Sequence, residues 1–443
     1  MAPFRPQQIV FYSYILLIIA GSFFLWLPFS RKEDISLVDI LFTATSAVTV
    51  TGLNVVSIRD DFSLIGQVII LLLIQIGGLG YMTLTTFFLV TLGRKIGLRE
   101  RMILAESLNY PGIYGLVRFL KRTILFVFIV ELLGFFVFLI LFIPKYGIEK
   151  ALFYSLFHSI SSFNNAGFSI FPQGFYEFNG NMTVNLVTSL LVILGGFGFF
   201  TLNDIILYIK GKVRNLSVTT KLVLYTNFIL WFSGFVIVLI TEYFNPAGTQ
   251  LWSIKDKIFN ALTLSVYTRT AGFSTFDYSL LSESTLLVAI ILMFVGASPG
   301  GTGGGIKTTT FSVIILSTVS YIRGQKEVIV FNRKISEDTL RKAMVITILS
   351  LSYIFSINLL IDIIEEKDFL ATLFEVISAF STVGLSMGNP EGLSFSADFS
   401  DLSKVLIIVT MVVGRVGILS FMMAISPREE NKHIAYTEAK VLL

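Results

Sequence analysis

The stretch Val50-Thr51-Gly52-Leu53-Asn54 recurs three more times along this 443-residue chain and decides its fold. The other copies read Asn165-Ala166-Gly167-Phe168-Ser169, Thr270-Ala271-Gly272-Phe273-Ser274 and Thr382-Val383-Gly384-Leu385-Ser386. In every copy a large apolar residue follows the glycine, and a small polar residue comes next. Successive glycines are separated by 115, 105 and 112 residues, which predicts four internal repeats of one structural unit.

Long apolar runs flank each glycine motif. They contain few charges, and examples are residues 11–29, 124–143, 222–240 and 405–425. Only 14% of the residues are charged, whereas a soluble protein carries about 25%. Runs near 20 residues cross the roughly 30 Å hydrocarbon core as helices, which satisfy their own backbone polar groups. The chain is therefore predicted to be an all-α polytopic membrane protein with eight full spans.

A shorter apolar segment precedes each glycine motif. Such segments, for example residues 37–48 and 368–380, are too short to cross a bilayer. Half-helices of this kind are tolerated only beside protein or a water-filled cavity. Each repeat is thus predicted to be a membrane helix, a pore half-helix and a second membrane helix, placed around a pseudo-four-fold pore. The predicted repeats are residues 1–100, 101–215, 216–330 and 331–443.

Basic residues are distributed unevenly between the two predicted membrane sides. The side of the termini and inter-repeat loops holds 21 of the 33 Lys and Arg residues, and the opposite side holds ten. The positive-inside rule makes the richer side cytoplasmic, with both termini there and the glycine motifs facing outward. Residues 11–29 form a full span without a small-residue cleavage pattern after it, so a cleaved leader is not expected.

The composition excludes several classes of function. Cysteine is absent and histidine occurs only at His158 and His433, which argues against thiolate chemistry and a histidine metal centre. A net charge of +4, divided by membrane side, suggests no nucleic-acid partner. No buried dyad or metal cluster is visible, so the chain is not expected to be an enzyme.

The glycine motifs are predicted to form a cation filter. The C-terminus of a half-helix carries about half a negative charge, and glycine lets backbone carbonyls replace an ion's hydration shell. Carbonyl ligands suit a large monovalent ion better than Mg²⁺, which keeps its water. The alternative is that the glycines mark ordinary turns or close helix contacts. The predicted filter residues are Val50, Thr51, Gly52, Asn165, Ala166, Gly167, Thr270, Ala271, Gly272, Thr382, Val383 and Gly384.

A second glycine motif lies inside the second long run of each repeat. Two copies, Gly77-Gly78-Leu79-Gly80 and Gly195-Gly196-Phe197-Gly198, mark either close helix packing or the wall of a cavity. Repeat four has Gly414-Arg415-Val416-Gly417 instead. In repeat three the motif expands into residues 296–307, where Pro299 and the glycines oppose a continuous helix.

The expanded segment is predicted to be a movable loop below the filter, with a rigid kink as the alternative. Its residues are Gly300, Gly301, Thr302, Gly303, Gly304 and Gly305. It is not a phosphate-binding P-loop, because Ile306 separates Gly305 from Lys307.

Two basic side chains are placed inside membrane runs. Arg415 aligns with Gly78 and Gly196, so it is predicted to face the pore, donate to the loop's carbonyls and repel a passing cation. The alternative is that its side chain extends to the cytoplasmic surface. Lys307 either lines the cavity or marks the cytoplasmic end of the loop.

Other ionisable residues in or near the membrane runs are expected to be structural. Arg269, beside the third glycine motif, either tunes the field at the pore mouth or is solvated. His158 is expected to be a hydrogen-bonded packing residue. Structural pairs or solvated span ends are expected for Glu131, Asp204, Glu242, Asp362 and Glu375.

Taken together, the glycine motifs and residues 296–307 resemble the Trk/Ktr/HKT superfamily of potassium transporters, most closely its bacterial KtrB-type pore subunits. The resemblance covers nearly the whole chain. It implies K⁺ uptake across the cytoplasmic membrane through a gated pore, with K⁺ at the filter carbonyls, Na⁺ as a modulator and no cofactor. Members with serine in place of the first filter glycine tend toward Na⁺, whereas all four glycines are present here.

The resemblance also implies partners and leaves one rival open. It implies a homodimer in the lipid membrane and a cytosolic nucleotide-binding regulatory ring of the KtrA type, and residues 440–443 are a candidate dimer contact. The rival is a secondary transporter built on inverted repeats. Units of two full spans all have the same orientation in the membrane, which argues against inverted repeats.

Overall fold

The computed structural model describes residues 6–92, 97–108, 110, 112, 114–245, 253–389 and 392–426. Helices dominate these residues, and the two paired strands form a small antiparallel hairpin. The helices are α1 Pro6–Trp26, α2 Leu37–Thr49, α3 Leu64–Leu79, α4 Tyr81–Thr91, α5 Leu98–Ser107, α6 Leu116–Phe163, α7 Met182–Gly196, α8 Phe199–Ile209, α9 Val218–Tyr243, α10 Ile254–Tyr267, α11 Glu283–Phe294, α12 Thr308–Ile322, α13 Glu337–Glu365, α14 Phe369–Phe380, α15 Asp401–Val416 and α16 Ile418–Ile425. The strands are β1 Pro172–Phe175, β2 Ile329–Val330 and β3 Arg333–Lys334, with β2 paired to β3.

The helices follow the predicted order of span, half-helix and span. In the first, third and fourth units the half-helices are α2, α10 and α14, with 13, 14 and 12 residues. The second half-helix is the last arm of the 48-residue α6, which bends at Gly147 (φ 72°, ψ 167°) shortly after Pro144. Glycine tolerates this conformation, so one helix supplies both a span and a half-helix.

Local sequence explains where the half-helices begin and end. The Ser36, Ser253 and Asp368 side chains accept hydrogen bonds from backbone N–H groups of the first turn and so cap α2, α10 and α14. Each of the four half-helices then ends just before a residue with left-handed backbone, two positions ahead of the motif glycine. These residues are Val50 (φ 57°), Asn165 (φ 60°), Thr270 (φ 68°) and Thr382 (φ 49°).

The four units close into a ring. The first part of each second span packs against the helix that carries the half-helix of the next unit: α3 on α6, α7 on α10, α11 on α14, and α15 on α2. Because the last of these contacts joins the fourth unit to the first, the half-helices surround one axis. The predicted all-α, four-unit membrane fold is confirmed, while the predicted repeat boundaries stay a prediction.

The second span is interrupted in every unit, whereas the sequence indicated a break only in repeat three. The described residues include four continuous candidate spans and three bent pairs, α3/α4, α7/α8 and α15/α16, with bends of 83°, 97° and 104°. The bends fall at Gly80, Gly198 and Gly417, whose φ angles are 81°, 86° and 90°. In the third unit residues 295–307 separate α11 from α12. The last glycine of the second motif is therefore a hinge in the first, second and fourth units, which the pattern alone did not reveal.

Buried carboxylates hold elements together, as expected for structural residues. Glu131 lies within α6 rather than at a span end, and accepts hydrogen bonds from Gln75 Nε2 (3.1 Å) and Asn164 Nδ2 (3.0 Å). Glu375 accepts from the backbone N–H of Ser396 (3.0 Å). The remaining acceptors are Asp204, which takes hydrogen bonds from Ser217 and Thr220, and Glu242, which takes them from Ser282 and Thr285.

His158 is the predicted packing residue. Its ring is fully buried and stacks on Phe171 with 3.8 Å between centroids. Its two nitrogens contact Tyr154 O (2.7 Å) and Ser169 Oγ (3.0 Å).

Some predictions concern residues outside the described part of the chain. They include His433, the C-terminal dimer contact at residues 440–443, and the ends at residues 1–5 and 427–443 that were assigned to the cytoplasm.

Replacing Glu131 with alanine is expected to destabilise the protein by about 2 kcal/mol, because Gln75 Nε2 loses its acceptor and Asn164 Nδ2 loses one of its three acceptors. Glu131→Gln should cost less, since its amide oxygen still accepts. Denaturation of the purified protein in detergent measures both. Glu149→Ala, an exposed glutamate of the same helix, is the control, and equal stability of the two alanine variants would contradict the structural role of Glu131.

Candidate ion pathway

The four motif glycines meet at the axis and form what we call the glycine ring: Gly52, Gly167, Gly272 and Gly384. A Cβ atom added to any one of them would lie less than 3.0 Å from the carbonyl oxygen before the next glycine around the ring. These oxygens belong, in order, to Ala166, Ala271, Val383 and Thr51. The ring therefore closes through backbone contacts, and a side chain at any of these positions would require the backbone to shift.

Backbone conformation repeats around the glycine ring. Each glycine has positive φ, from 69° at Gly167 to 96° at Gly52, and so does the residue two positions before it. The intervening Thr51, Ala166, Ala271 and Val383 do not. This alternation differs from an extended strand, in which successive carbonyls point to opposite sides.

Hydrogen bonds behind the ring are not the same in the four units. Six residues before the glycine, Ser46 and Ser378 accept hydrogen bonds at Oγ from the N–H groups of Gly52 and Gly384, both at 3.0 Å. Ser161 is placed equivalently and donates to Phe168 O (2.8 Å). In the third unit this position is Val266, which offers no such group. The third corner thus lacks the serine support of the others.

A cavity of about 470 Å³ opens on one side of the glycine ring. All four ring glycines line it, together with the residues that follow them, and its charged lining residues are Arg59 and Asp60. The motif glycines therefore form the floor of an open vestibule.

The second glycine motif allows close helix packing. Cβ atoms at Gly77, Gly195 and Gly414 would collide with the carbonyl oxygens of Val48, Phe163 and Phe380, which lie four residues before the ring glycines of the same units. The packing interpretation is thus correct for Gly77 and Gly195. Gly78 contacts Asn164 and also lines the inner cavity described below.

The intramembrane loop, residues 295–307, lies directly under the ring. The N–H of Gly304 donates to Thr382 Oγ1 at 2.7 Å, and a Cβ at Gly303 would collide with the Thr270 side chain. Thr270 and Thr382 are both predicted filter residues. The loop is therefore in contact with two of the four corners.

The part of the loop before these contacts, residues 298–302, is hydrogen-bonded to the hinge of the second unit. Ser298 N–H donates to Gly196 O (3.1 Å) and Thr302 N–H to Gly195 O (3.2 Å). In return, Phe199 N–H donates to Gly300 O (3.0 Å). Because α7 ends at Gly196, the Gly195 and Gly196 carbonyls have no N–H donor in a following helical turn. The loop amides provide these donors.

An inner cavity of about 300 Å³ lies beyond the loop. Gly300, Gly303 and Gly305 line it together with Lys307 and Arg415. Lys307 Nζ donates to Gly303 O at 2.8 Å, so this lysine lines the cavity and binds the loop.

Arg415 lines the inner cavity, but the expected partner, the loop, was wrong. Its guanidinium donates to the carbonyls of Gly77 and Gly78 (3.1 Å for the latter) and to Tyr14 Oη (3.3 Å), not to the loop. The bend at Gly80 explains this choice, since it removes the N–H donors that would continue α3. Bound at the cavity wall, the side chain does not extend to the surface.

Arg269 was also misplaced by the sequence interpretation. It is only 5% exposed, and so it is not solvated, while an effect on the field at the pore mouth stays a prediction. Its guanidinium donates to the Val295 and Gly296 carbonyls at the end of α11 and to Asn227 Oδ1 (3.0 Å). Asn227 in turn donates to Ser298 Oγ (3.0 Å). Arg269 therefore fixes the beginning of the intramembrane loop.

A signal for this role was present in the sequence. Three residues before the ring glycine, the other units carry small polar residues, Thr49, Asn164 and Ser381, and only the third carries a cation. A charge at membrane depth must find partners, and the neighbouring interrupted helix leaves carbonyls free to accept.

Substituting Arg269 with lysine is expected to loosen the start of the loop. An ammonium group cannot reproduce the planar fork that joins two carbonyls and Asn227. Loss of one charged hydrogen bond, worth about 1.5–3 kcal/mol, should speed amide exchange at residues 295–298 by at least about tenfold. Hydrogen exchange with mass spectrometry measures this, with the exposed Arg323→Lys as the control. Unchanged exchange at these amides would contradict the role.

Comparison with known proteins agrees with this geometry. The sequence matches the TrkH family, described as a cation transport protein, over residues 4–434. It is 40% identical to the Ktr system potassium uptake protein B of Bacillus subtilis over 99% of this chain and 96% of that protein, and 34% identical to its Vibrio alginolyticus namesake over 98% and 94%. The crystal structure of the potassium transporter TrkH from Vibrio parahaemolyticus superimposes with a TM-score of 0.74 and 20% identity, covering 95% of this chain and 84% of the other. The predicted family resemblance is thus confirmed, and the chain belongs to the TrkH family of cation transport proteins.

Proposed function

We propose that this protein takes up K⁺ through a gated pore along the axis of its four units. The observation that carries the proposal is the closed glycine ring, in which four backbones meet with their carbonyls and without side chains. Two relatives that match nearly the full chain are named potassium uptake proteins. A secondary transporter or an intramembrane enzyme would not require such a ring.

The filter consists of the three residues that end at each ring glycine, from Val50–Gly52 to Thr382–Gly384. Alternation of positive and negative φ turns successive carbonyls toward one side of the chain, where they act as ligands for K⁺. Four half-helices direct their partially negative C-termini to the same place. A large monovalent cation is therefore stabilised without an acidic side chain.

The gate is the intramembrane loop with Lys307 and Arg415. In this structure residues 303 and 304 lie against the filter threonines, so the loop obstructs the path toward the inner cavity. The two basic side chains line that cavity and repel a cation that enters it. Opening requires the Gly304–Thr382 and Lys307–Gly303 hydrogen bonds to break.

The membrane context follows from the charge distribution. Both termini lie in the cytoplasm, the vestibule faces outward, and the protein resides in the cytoplasmic membrane. The protein works as the pore subunit of a Ktr-type system, as a homodimer controlled by a cytosolic nucleotide-binding ring, and Na⁺ modulates transport. Its relatives' names, which refer to a Ktr system, support a multi-component assembly.

Gly167→Ser should lower the selectivity of uptake for K⁺ over Na⁺ by about tenfold or more. Gly167 has φ 69°, and its added Cβ would lie 2.7 Å from Gly272 Cα and 2.9 Å from Ala271 O, so the ring must distort. A change of about 1.4 kcal/mol in relative ion binding is enough for this effect.

Competition of K⁺ and Na⁺ against a rubidium tracer, taken up into liposomes containing the purified protein, measures the ratio. Gly180→Ser is a matched control, because Gly180 has φ 75° but nothing within 4 Å of an added Cβ. If the Gly167 variant keeps the wild-type ratio, the ring is not the filter.

Neutralising Arg415 should raise tracer flux by at least about tenfold, since a charge on the cavity wall contributes an electrostatic barrier of about 1.4 kcal/mol or more at intermediate dielectric. Arg415→Gln and Arg415→Ala should increase flux similarly. Glutamine keeps a donor for the Gly78 carbonyl and should therefore preserve stability better. Arg323→Gln, an exposed cation of the same charge, is the control. Flux that stays at the wild-type level in a folded Arg415→Gln protein would remove the residue from the barrier.

A further inference from the structure

A groove between α6 and α8 shares one lining residue, Phe199, with the inner cavity. It has a volume of about 250 Å³. Its walls are apolar, with Leu125 and Ile129 of α6 facing Leu202 and Ile206 of α8. Leu125 is 60% exposed and Ile129 46% exposed, so the groove is open at the surface of the helices. In a membrane such an opening faces the lipid acyl chains.

One end of this groove is strongly basic. Arg122, Lys210 and Lys212 contribute to its lining, and all three are exposed. None of them forms an ion pair with a residue in the described ranges. The neighbouring carboxylate of α8, Asp204, accepts hydrogen bonds from Ser217 and Thr220 and belongs to another contact. Three positive charges are therefore available at the mouth of an apolar groove.

We propose that this groove binds an anionic phospholipid, with the phosphate at Arg122, Lys210 and Lys212 and an acyl chain between α6 and α8. The charge distribution places the basic end at the cytoplasmic surface, where anionic lipids concentrate and where basic pockets between membrane helices bind their headgroups. A soluble phosphate compound would use the cations but not the apolar walls. The combination of the two chemistries selects a lipid.

The bound lipid would act on the intramembrane loop through α8. Phe199 is the first residue of α8 and lines the groove, while its N–H donates to Gly300 O (3.0 Å). The preceding hinge glycine, Gly198, is packed so closely that an added Cβ would collide with Pro299 O. A lipid that holds α8 against α6 therefore holds this side of the loop in place. This regulation rests on the proposed gate, whereas lipid binding does not.

Native mass spectrometry of the purified chain, titrated with phosphatidylglycerol or phosphatidylcholine of identical chains, tests the site. Wild type should bind phosphatidylglycerol preferentially. The triple variant Arg122→Gln/Lys210→Gln/Lys212→Gln should lose about 100-fold in that affinity, since each cation contributes about 1 kcal/mol. Arg323→Gln/Lys326→Gln/Arg341→Gln removes three exposed cations elsewhere and should retain wild-type affinity.

Two further arms distinguish a lipid from other occupants. Ile129→Trp fills the groove without changing charge and should weaken phosphatidylglycerol binding, while excess inorganic phosphate should not displace the lipid. Displacement by phosphate, or full binding to Ile129→Trp, would show a headgroup site without a chain and overturn the proposal. Equal losses in both triple variants would overturn it too, since they indicate nonspecific charge attraction.

Hydrogen exchange tests the link to the loop separately. Phosphatidylglycerol should slow amide exchange at residues 298–302 at least threefold in wild type and leave the Arg122/Lys210/Lys212 variant unchanged. Lipid binding without this protection would overturn the coupling through α8. A negative result in the lipid-binding experiments does not contradict the proposed K⁺ uptake, because tracer uptake measures that function independently.

Discussion

Backbone segments from the four units meet at the glycine ring, and the rest of the fold depends on that contact. At each corner of the glycine ring a carbonyl of the neighbouring unit occupies the place of a Cβ atom. A backbone carbonyl cannot rotate away as a side chain can, so the restriction to glycine is steric as well as conformational. Half-helices must be short to end at the ring, and side-chain caps at three of their N-termini and a left-handed residue one to three positions after each C-terminus mark both ends.

The second spans also pack closely against the half-helices, through Gly77, Gly195 and Gly414. Each second span is interrupted near this contact. A break inside the membrane leaves carbonyls without donors, and each unsatisfied group costs several kcal/mol in hydrocarbon. The donors differ from unit to unit: Arg415 serves the end of α3, loop amides serve α7, and Arg269 serves α11. Positive charge near the pathway thus has a structural reason besides any effect on a passing cation. This explains how arginine side chains are accommodated beside a cation pathway.

Sequence patterns predicted the repeated elements of each unit and failed on the partners of the buried arginines and on the bends of the second spans. The four glycines, the half-helices and the interruption around Pro299 follow from spacing, length and composition, and all are present. The partners of Arg415 and Arg269 could not be derived in this way. Arg415 of the fourth unit binds carbonyls of the first, and this pairing depends on ring closure. The hinges at Gly80, Gly198 and Gly417 were missed because a glycine in an apolar run also fits close packing.

Departures from symmetry concentrate in the third unit, which contains Val266, Arg269 and the intramembrane loop. A symmetric ring gives each corner the same support and provides no element that can move alone. Here Val266 stands where the other units have serine, Arg269 fixes the start of the loop, and the loop's far end contacts the filter through Thr382. In the proposed function, residues 303 and 304 are the part that moves, while Arg269 holds residues 295 and 296. The proposed gate thus belongs to one unit, and the backbone contacts of the other three do not depend on it.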